Sequence, residues 1–221
     1  MNNILSSKPA RKIRSGQRGI RGNVPGFGRF ESALERDLME LLRFSNSIEN
    51  FKPQPITIKY QMLNGTLNKY TPDGLILFKQ ELQHSPILYE VKYREDYKQS
   101  WRELRPKFRA ARALCRKEGW EFRVFTESHI RTPYLINVQF LQGYKDQAPI
   151  PEMASHVLDV MEDLQLGEVN TLLAALARDQ WARAEWIPVL WHLVAMGTIH
   201  CDLDEPLTMR SVLTATGAAD A

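Results

Sequence analysis

The run Ile87-Leu-Tyr-Glu-Val-Lys92 is apolar where it begins and doubly charged where it ends. In an extended strand successive side chains point to opposite faces, so Glu90 and Lys92 share a face while Val91 turns into the core. A core-facing charge at the end of an apolar strand is costly unless a metal ion or a phosphate compensates it. A second apolar run, Leu75-Ile-Leu-Phe78, is opened by Thr71-Pro-Asp-Gly74, so Asp73 enters from an adjacent strand and the two carboxylates can converge. A helix precedes both: Phe30, Leu34, Leu38, Leu41 and Leu42 recur at spacings of three and four, one apolar face that should pack on a sheet, and Glu35 rides on that helix.

Pro-Asp followed by Glu-x-Lys is the residue set of metal-dependent phosphodiester hydrolysis. Two or three carboxylate oxygens are needed to hold Mg²⁺, with Mn²⁺ expected to substitute, against a scissile phosphate, and a neighbouring ammonium can orient or deprotonate the attacking water. On this reading Asp73 bridges the metals, Glu90 and the Val91 carbonyl complete one site, and Glu35 reaches in from its helix. Lys92 then orients the nucleophile and neutralises developing charge. Each piece has a plainer explanation when taken singly: Pro-Asp as a turn, Glu-x-Lys as an exposed strand, Lys92 as the ion-pair partner of Glu90. The joint occurrence favours chemistry. Glu31, one turn from Glu35, competes for the helical role, and Gln54-Pro55 either places an amide near the site or only turns the chain into the next strand.

Charge is divided along the chain. The formal balance is +3, yet residues 151–221 hold three Lys/Arg (Arg178, Arg183, Arg210) against eleven Asp/Glu, which leaves 26 basic and 15 acidic residues in 1–150. The first part is built to meet a polyanion and the second is not. Within it, residues 1–29 read as a flexible basic arm: Lys8, Arg11, Lys12, Arg14, Arg18, Arg21 and Arg29 without one acidic residue, interleaved with glycines, able to lie along DNA phosphates without reading sequence or simply to stay solvated. Arg102, Arg105 and Arg109, on a basic helix expected over Tyr97 to Lys117, are further candidates for DNA backbone contact.

The hydrophobic fraction of 43% beside 25% charged residues is that of a globular protein able to fold without staples. Cys115 and Cys201 are far apart with no histidine at ligand spacing, and the five histidines form no metal-binding pattern, so a disulfide framework and a zinc site are disfavoured and a reducing cytosol is expected. No apolar stretch approaches the ~20 residues that span a bilayer, and the first residues lack the apolar core of a signal peptide, which argues against a membrane or secretory protein.

After the helix of Glu35, three strands are expected at Ile56–Tyr60, at Tyr70 with Leu75–Phe78, and at Ile87–Val91, the first two joined through an Asn64-Gly65 turn. The basic helix, broken or kinked at Pro106 and ended by Gly119, leads to a strand at Glu121–Phe125. The order α, β, β, β, α, β describes an α/β fold, a mixed sheet flanked by helices, over a catalytic domain at 30–141. Residues 142–151, with Gly143, Pro149 and Pro151, read as a linker. Residues 152–212 then carry three amphipathic helices and a hairpin, the outline of a small winged-helix-like domain, with Trp181, Trp186 and Trp191 assigned to its core. Residues 213–221 are expected to be a frayed tail. A domain so acidic is suited to protein contact rather than DNA.

Ser32-Ala-Leu-Glu35-Arg-Asp-Leu, Gln54-Pro55, Tyr70-Thr-Pro-Asp73-Gly-Leu-Ile, Glu90-Val-Lys92 and Trp120-Glu-Phe-Arg-Val-Phe-Thr126 together resemble the TnsA endonuclease subunit of heteromeric transposases, in detail over residues 30 to 130 and in outline beyond. The resemblance implies a restriction-endonuclease-like catalytic domain, favours Glu35 over Glu31, and puts the family's catalytic glutamate, aspartate and lysine on Glu35, Asp73 and Lys92. Some members have glutamine where this chain has Glu90. It also implies cleavage at the 5′ ends of a transposon, together with a TnsB-like transposase that cuts the other strand and a TnsC-like AAA+ ATPase, with the C-terminal domain docking onto partners. The competing expectations are a stand-alone restriction or repair nuclease and a non-catalytic DNA-bound adaptor.

Overall fold

The computed structural model describes residues 22–24, 28–62 and 64–215. The chain divides into two compact units, one ending at Ile130 and the other beginning at Arg131.

The first unit opens with a hairpin of β1 (Gly22–Val24) and β2 (Gly28–Phe30) and the helix α1 (Ala33–Phe44). It continues through β3 (Ile48–Pro53), a hairpin of β4 (Ile58–Gln61) and β5 (Leu67–Tyr70), then β6 (Gly74–Phe78) and β7 (Ile87–Val91). Two helices, α2 (Arg94–Gln99) and α3 (Trp101–Glu118), lead to β8 (Glu121–Phe125) and a last short turn of helix, α4 (Glu127–Ile130). Strands β3, β6 and β7 are successively antiparallel, and β8 joins β7 in parallel, giving a four-stranded mixed sheet in the order β3-β6-β7-β8. A parallel neighbour needs a crossover, and α2 with α3 supplies it.

All five residues of β7 are buried because both of its faces are covered. Ile87, Tyr89 and Val91 face Leu34, Leu38 and Leu42 of α1. Leu88 faces the other way, toward Tyr60 and Tyr70 of the β4–β5 hairpin and Leu104, Phe108 and Ala111 of α3. Each fully buried leucine of this kind contributes about 2 kcal/mol, so the alternation fixes the strand's register and with it the direction of Glu90. Of the stripe expected on one helix, Leu34, Leu38 and Leu42 are buried on α1, whereas Phe30 lies in β2 and Leu41 is only partly buried.

Several expectations are corrected. Part of the expected arm is ordered: β1 and β2 pair, and Val24 and Phe30 are buried in the core. Residues 1–21 lie outside the described residues, and with them Lys8, Arg11, Lys12, Arg14, Arg18 and Arg21. Tyr70 and Leu75–Phe78 belong to different sheets, since among the described residues β5 pairs only with β4 and Thr71-Pro72-Asp73 carries the chain across to β6. Strand β3 has no clear alternation to announce it, because a register shift between Ile48 and Asn50 leaves Glu49 and Asn50 exposed. Pro106 does not break α3; the carbonyl its missing N–H leaves unpaired belongs to exposed Arg102, where water can reach it, while Leu104 and Phe108 anchor the helix. The break falls at Ser100 instead. Gly119 does end α3, in the left-handed conformation (φ 72°) that glycine adopts without penalty.

The second unit contains α5 (Pro133–Lys145), α6 (Pro151–Leu164), β9 (Leu166–Glu168), α7 (Val169–Leu176), α8 (Gln180–Met196), β10 (Ile199–Cys201) and β11 (Val212–Ala215). Its three strands form an antiparallel sheet in the order β10-β11-β9, so helix, strand, two helices and two strands complete a winged-helix-like outline. Residues 142–145, expected in a linker, are the last turn of α5, and α5 belongs here rather than to the catalytic unit. Asn137 shows why: its buried amide donates to the carbonyls of Leu203 (2.8 Å) and Glu205 (2.7 Å) and accepts from the Leu207 N–H (3.1 Å). The expected tail also starts too early, since Leu213 is wholly buried in the central strand. Trp191 is buried as expected, but Trp181 is 85% exposed. No helix among the described residues is long and apolar enough to cross a membrane.

Candidate active site

Glu35 is placed by a helix cap. Ser32 Oγ accepts from the Glu35 N–H (3.1 Å) and donates to Glu35 Oε1 (2.9 Å), and the Glu31 N–H donates to Oε2 (3.0 Å). The Ser-x-x-Glu spacing is thus a capping box in which the glutamate reaches one residue further back than usual. Burial raises the proton affinity of Glu35 and the charge of Glu31 adds to this, against the hydrogen bonds and the attraction of Lys92.

Asp73 stands at the crossing from the β4–β5 hairpin to the main sheet. Its Oδ2 accepts from the Val91 N–H at 2.7 Å, which ties the start of β6 to the end of β7. Gly74, the next residue, is paired with Tyr89, and a Cβ there would overlap the tyrosine ring, so the aspartate's turn depends on a residue without a side chain. Burial, then the charges of Glu90 and Glu35, hold the Asp73 carboxyl well above the ordinary carboxylate range, although Lys92 and the Val91 N–H oppose them.

Glu90 is 5% exposed. One carboxylate oxygen accepts from Tyr70 Oη at 2.7 Å and the other lies 3.1 Å from Lys92 Nζ. Lys92 extends the parallel ladder by donating its N–H to the Phe125 carbonyl (3.0 Å), which fixes its backbone beside the strand end. Burial works against the ammonium, but Glu90, Asp73 and Glu35 outweigh it and hold Lys92 above the usual lysine range.

Gln54 touches this group through the main chain. Its N–H donates to the Asp73 carbonyl at 2.8 Å and its Nε2 to Glu31 Oε1 at 3.2 Å, while its buried Oε1 has no protein partner. Its backbone is left-handed (φ 48°), a strained conformation for a residue with a Cβ, and those two bonds hold it there.

Glu35, Asp73, Glu90, Val91, Lys92 and Gln54 are therefore brought together, with Val91 contributing its N–H to Asp73. Lys92 pairs with Glu90 and feels the charges of Asp73 and Glu35, and the surplus negative charge, together with hard oxygen donors, suits a divalent cation such as Mg²⁺. No three His, Cys, Asp or Glu side chains among the described residues are already gathered at metal-ligand spacing. Each oxygen of Glu90 and of Glu35 has one protein partner, which leaves each a second lone pair that could face a cation. Arg102, Arg105 and Arg109 lie on α3, all exposed; Arg109 lines a groove with Arg112 and Arg116, and Arg102 and Arg105 do not. Tyr70 is the residue that sequence reasoning missed: it contacts Glu90 from a different sheet, and only its place three residues before Asp73 hints at it.

Residues 45–127 match the family model described as the TnsA-like endonuclease N terminal, and residues 129–203 match that of the TnsA endonuclease C terminal. The first span holds Gln54, Asp73, Glu90 and Lys92 and begins after Glu35; the junction between the spans falls beside the division at Ile130. No curated protein matches the chain.

Proposed function

The chain belongs to the TnsA family of transposition endonucleases, and from that premise we propose that its Glu35, Asp73, Glu90 and Lys92 hydrolyse the phosphodiester at the 5′ ends of a transposon, completing excision with a TnsB-like transposase that cuts the other strand. The observation that carries this is the pairing of Lys92 with Glu90 at the carboxyl end of β7, where the Val91 N–H also holds Asp73 and the charge of Glu35 is felt.

Asp73, Glu90, Glu35 and the Val91 carbonyl are the groups that would hold Mg²⁺ or Mn²⁺. The bound cation would polarise the scissile phosphate and lower the pKa of the attacking water. Lys92, kept protonated by its carboxylate neighbours, is suited to donate a hydrogen bond to water or phosphate oxygen and to offset developing charge, rather than to take up a proton. Tyr70 holds Glu90 from behind, so the carboxylate meets the substrate from one fixed direction.

A TnsC-like AAA+ ATPase and the TnsB-like transposase are the expected partners, met through the acidic second unit. The test is reconstituted excision on a transposon-end duplex with partner proteins and Asp73→Ala. The expected result is loss of the 5′ cut with the partner's cut retained; severing of both strands by the variant would remove the catalytic assignment.

A further inference from the structure

We propose that the groove between β4 and α3 is a phosphate track, seating the backbone of one DNA strand as it leads away from the catalytic cluster; this rests on the nuclease reading. The groove has a volume of about 620 Å³. Gln61 and Met62 form one wall, small residues Ala110 and Ala113 form part of the floor, and Arg109, Arg112 and Arg116 line the helix side, with no carboxylate in the lining. None of the three arginines makes an ion pair among the described residues; Arg112 lies over the Phe122 ring at 5.7 Å, which orients its guanidinium without neutralising it. Three uncompensated guanidinium groups over a small-residue floor suit an anionic chain thin enough to approach the helix backbone.

The hairpin connects this groove to the chemistry. Tyr70, which bonds Glu90, pairs with Ile58, and the groove is reached at Tyr60, two residues along the same strand. That is roughly 7 Å, the axial rise of about two nucleotides. An acidic peptide would satisfy the arginines equally, but the link through Tyr70 to Glu90 favours the strand being cut.

The test uses the full chain, a non-specific DNA duplex and fluorescence anisotropy over a range of salt concentrations. Arg109→Ala with Arg116→Ala, at exposed helical positions, leaves the Arg112 contact intact. The pair is expected to weaken binding alike for unrelated sequences and to lower the salt-dependence slope by about 2, one unit per lost phosphate contact. Lysine at both positions should restore most of the affinity. Unchanged affinity and slope, failure of lysine to rescue, or loss of polyglutamate binding with DNA binding intact would each overturn the groove assignment. Asp73→Ala separates the two ideas: cleavage by that variant removes the catalytic reading, whereas the anisotropy result concerns the groove alone.

Discussion

Tyr70 explains how Glu90 can remain at the end of a wholly buried strand. Its hydroxyl gives the carboxylate a donor on the core side, and Lys92 gives it one on the open side. Tyr70→Phe keeps the ring packing and removes only that bond, so we expect a loss of about 2 kcal/mol in chemical denaturation and slower cleavage; unchanged stability would mean that Glu90 finds another donor. Asp73 and Glu35 supply a pH signature. Burial raises the proton affinity of both, and a carboxyl that binds its proton more tightly in the folded state contributes stability below its unfolded pKa, near 4, which is lost as pH rises through the raised native value. The melting temperature of metal-free protein, measured relative to Asp73→Asn by calorimetry, is therefore expected to fall as pH rises through that window. Added Mg²⁺ should reverse the fall in the unaltered protein more than in the variant. A difference curve that rises with pH would contradict this placement of Asp73.

Elements hold these residues by their ends. The cap at Ser32 sets the first turn of α1 and holds one oxygen of Glu35 while the Glu31 N–H holds the other, the N–H of Val91 at the end of β7 holds Asp73, and the strained turn at Gln54, just after β3, binds the Asp73 carbonyl. In the second unit, α5 plays a comparable part through Asn137, whose amide satisfies three backbone groups of the segment leading to β11. Asn137→Ala leaves those groups buried and unpaired, so a loss of about 2 to 3 kcal/mol is expected, with the Leu207 amide losing its protection from hydrogen exchange. Full protection of that amide in the variant would show that the segment is held by other contacts. Nothing in the sequence around Asn137 marked this, because its partners lie 66 to 70 positions away.

The whole chain divides its charge almost where it divides its structure. Counted from Arg131, the second unit has five Lys/Arg and twelve Asp/Glu, so the excess of positive charge lies in the unit that carries the carboxylate cluster. A chain ended at Ile130 is accordingly expected to keep most of its DNA affinity and to lose binding to TnsB-like and TnsC-like partners, measurable by pull-down and anisotropy; the opposite pattern would assign DNA binding to the second unit. A cut at residue 151, where composition alone suggests a boundary, would instead strip α5 from the helices it packs on. Composition marks a linker where prolines and glycine cluster, but a domain boundary is set by which side chains are buried together. The same distinction runs through the site. Local pattern by itself determined the helix of Glu35, the buried strand ending in Glu90 and Lys92, and the chemistry those residue types suit, because capping and alternation act between near neighbours. Only the tertiary structure decided that Tyr70 backs Glu90, that Val91 and Gln54 hold Asp73, and that three arginines of α3 share a groove with β4, because each of these joins residues that chain order keeps apart and packing brings together.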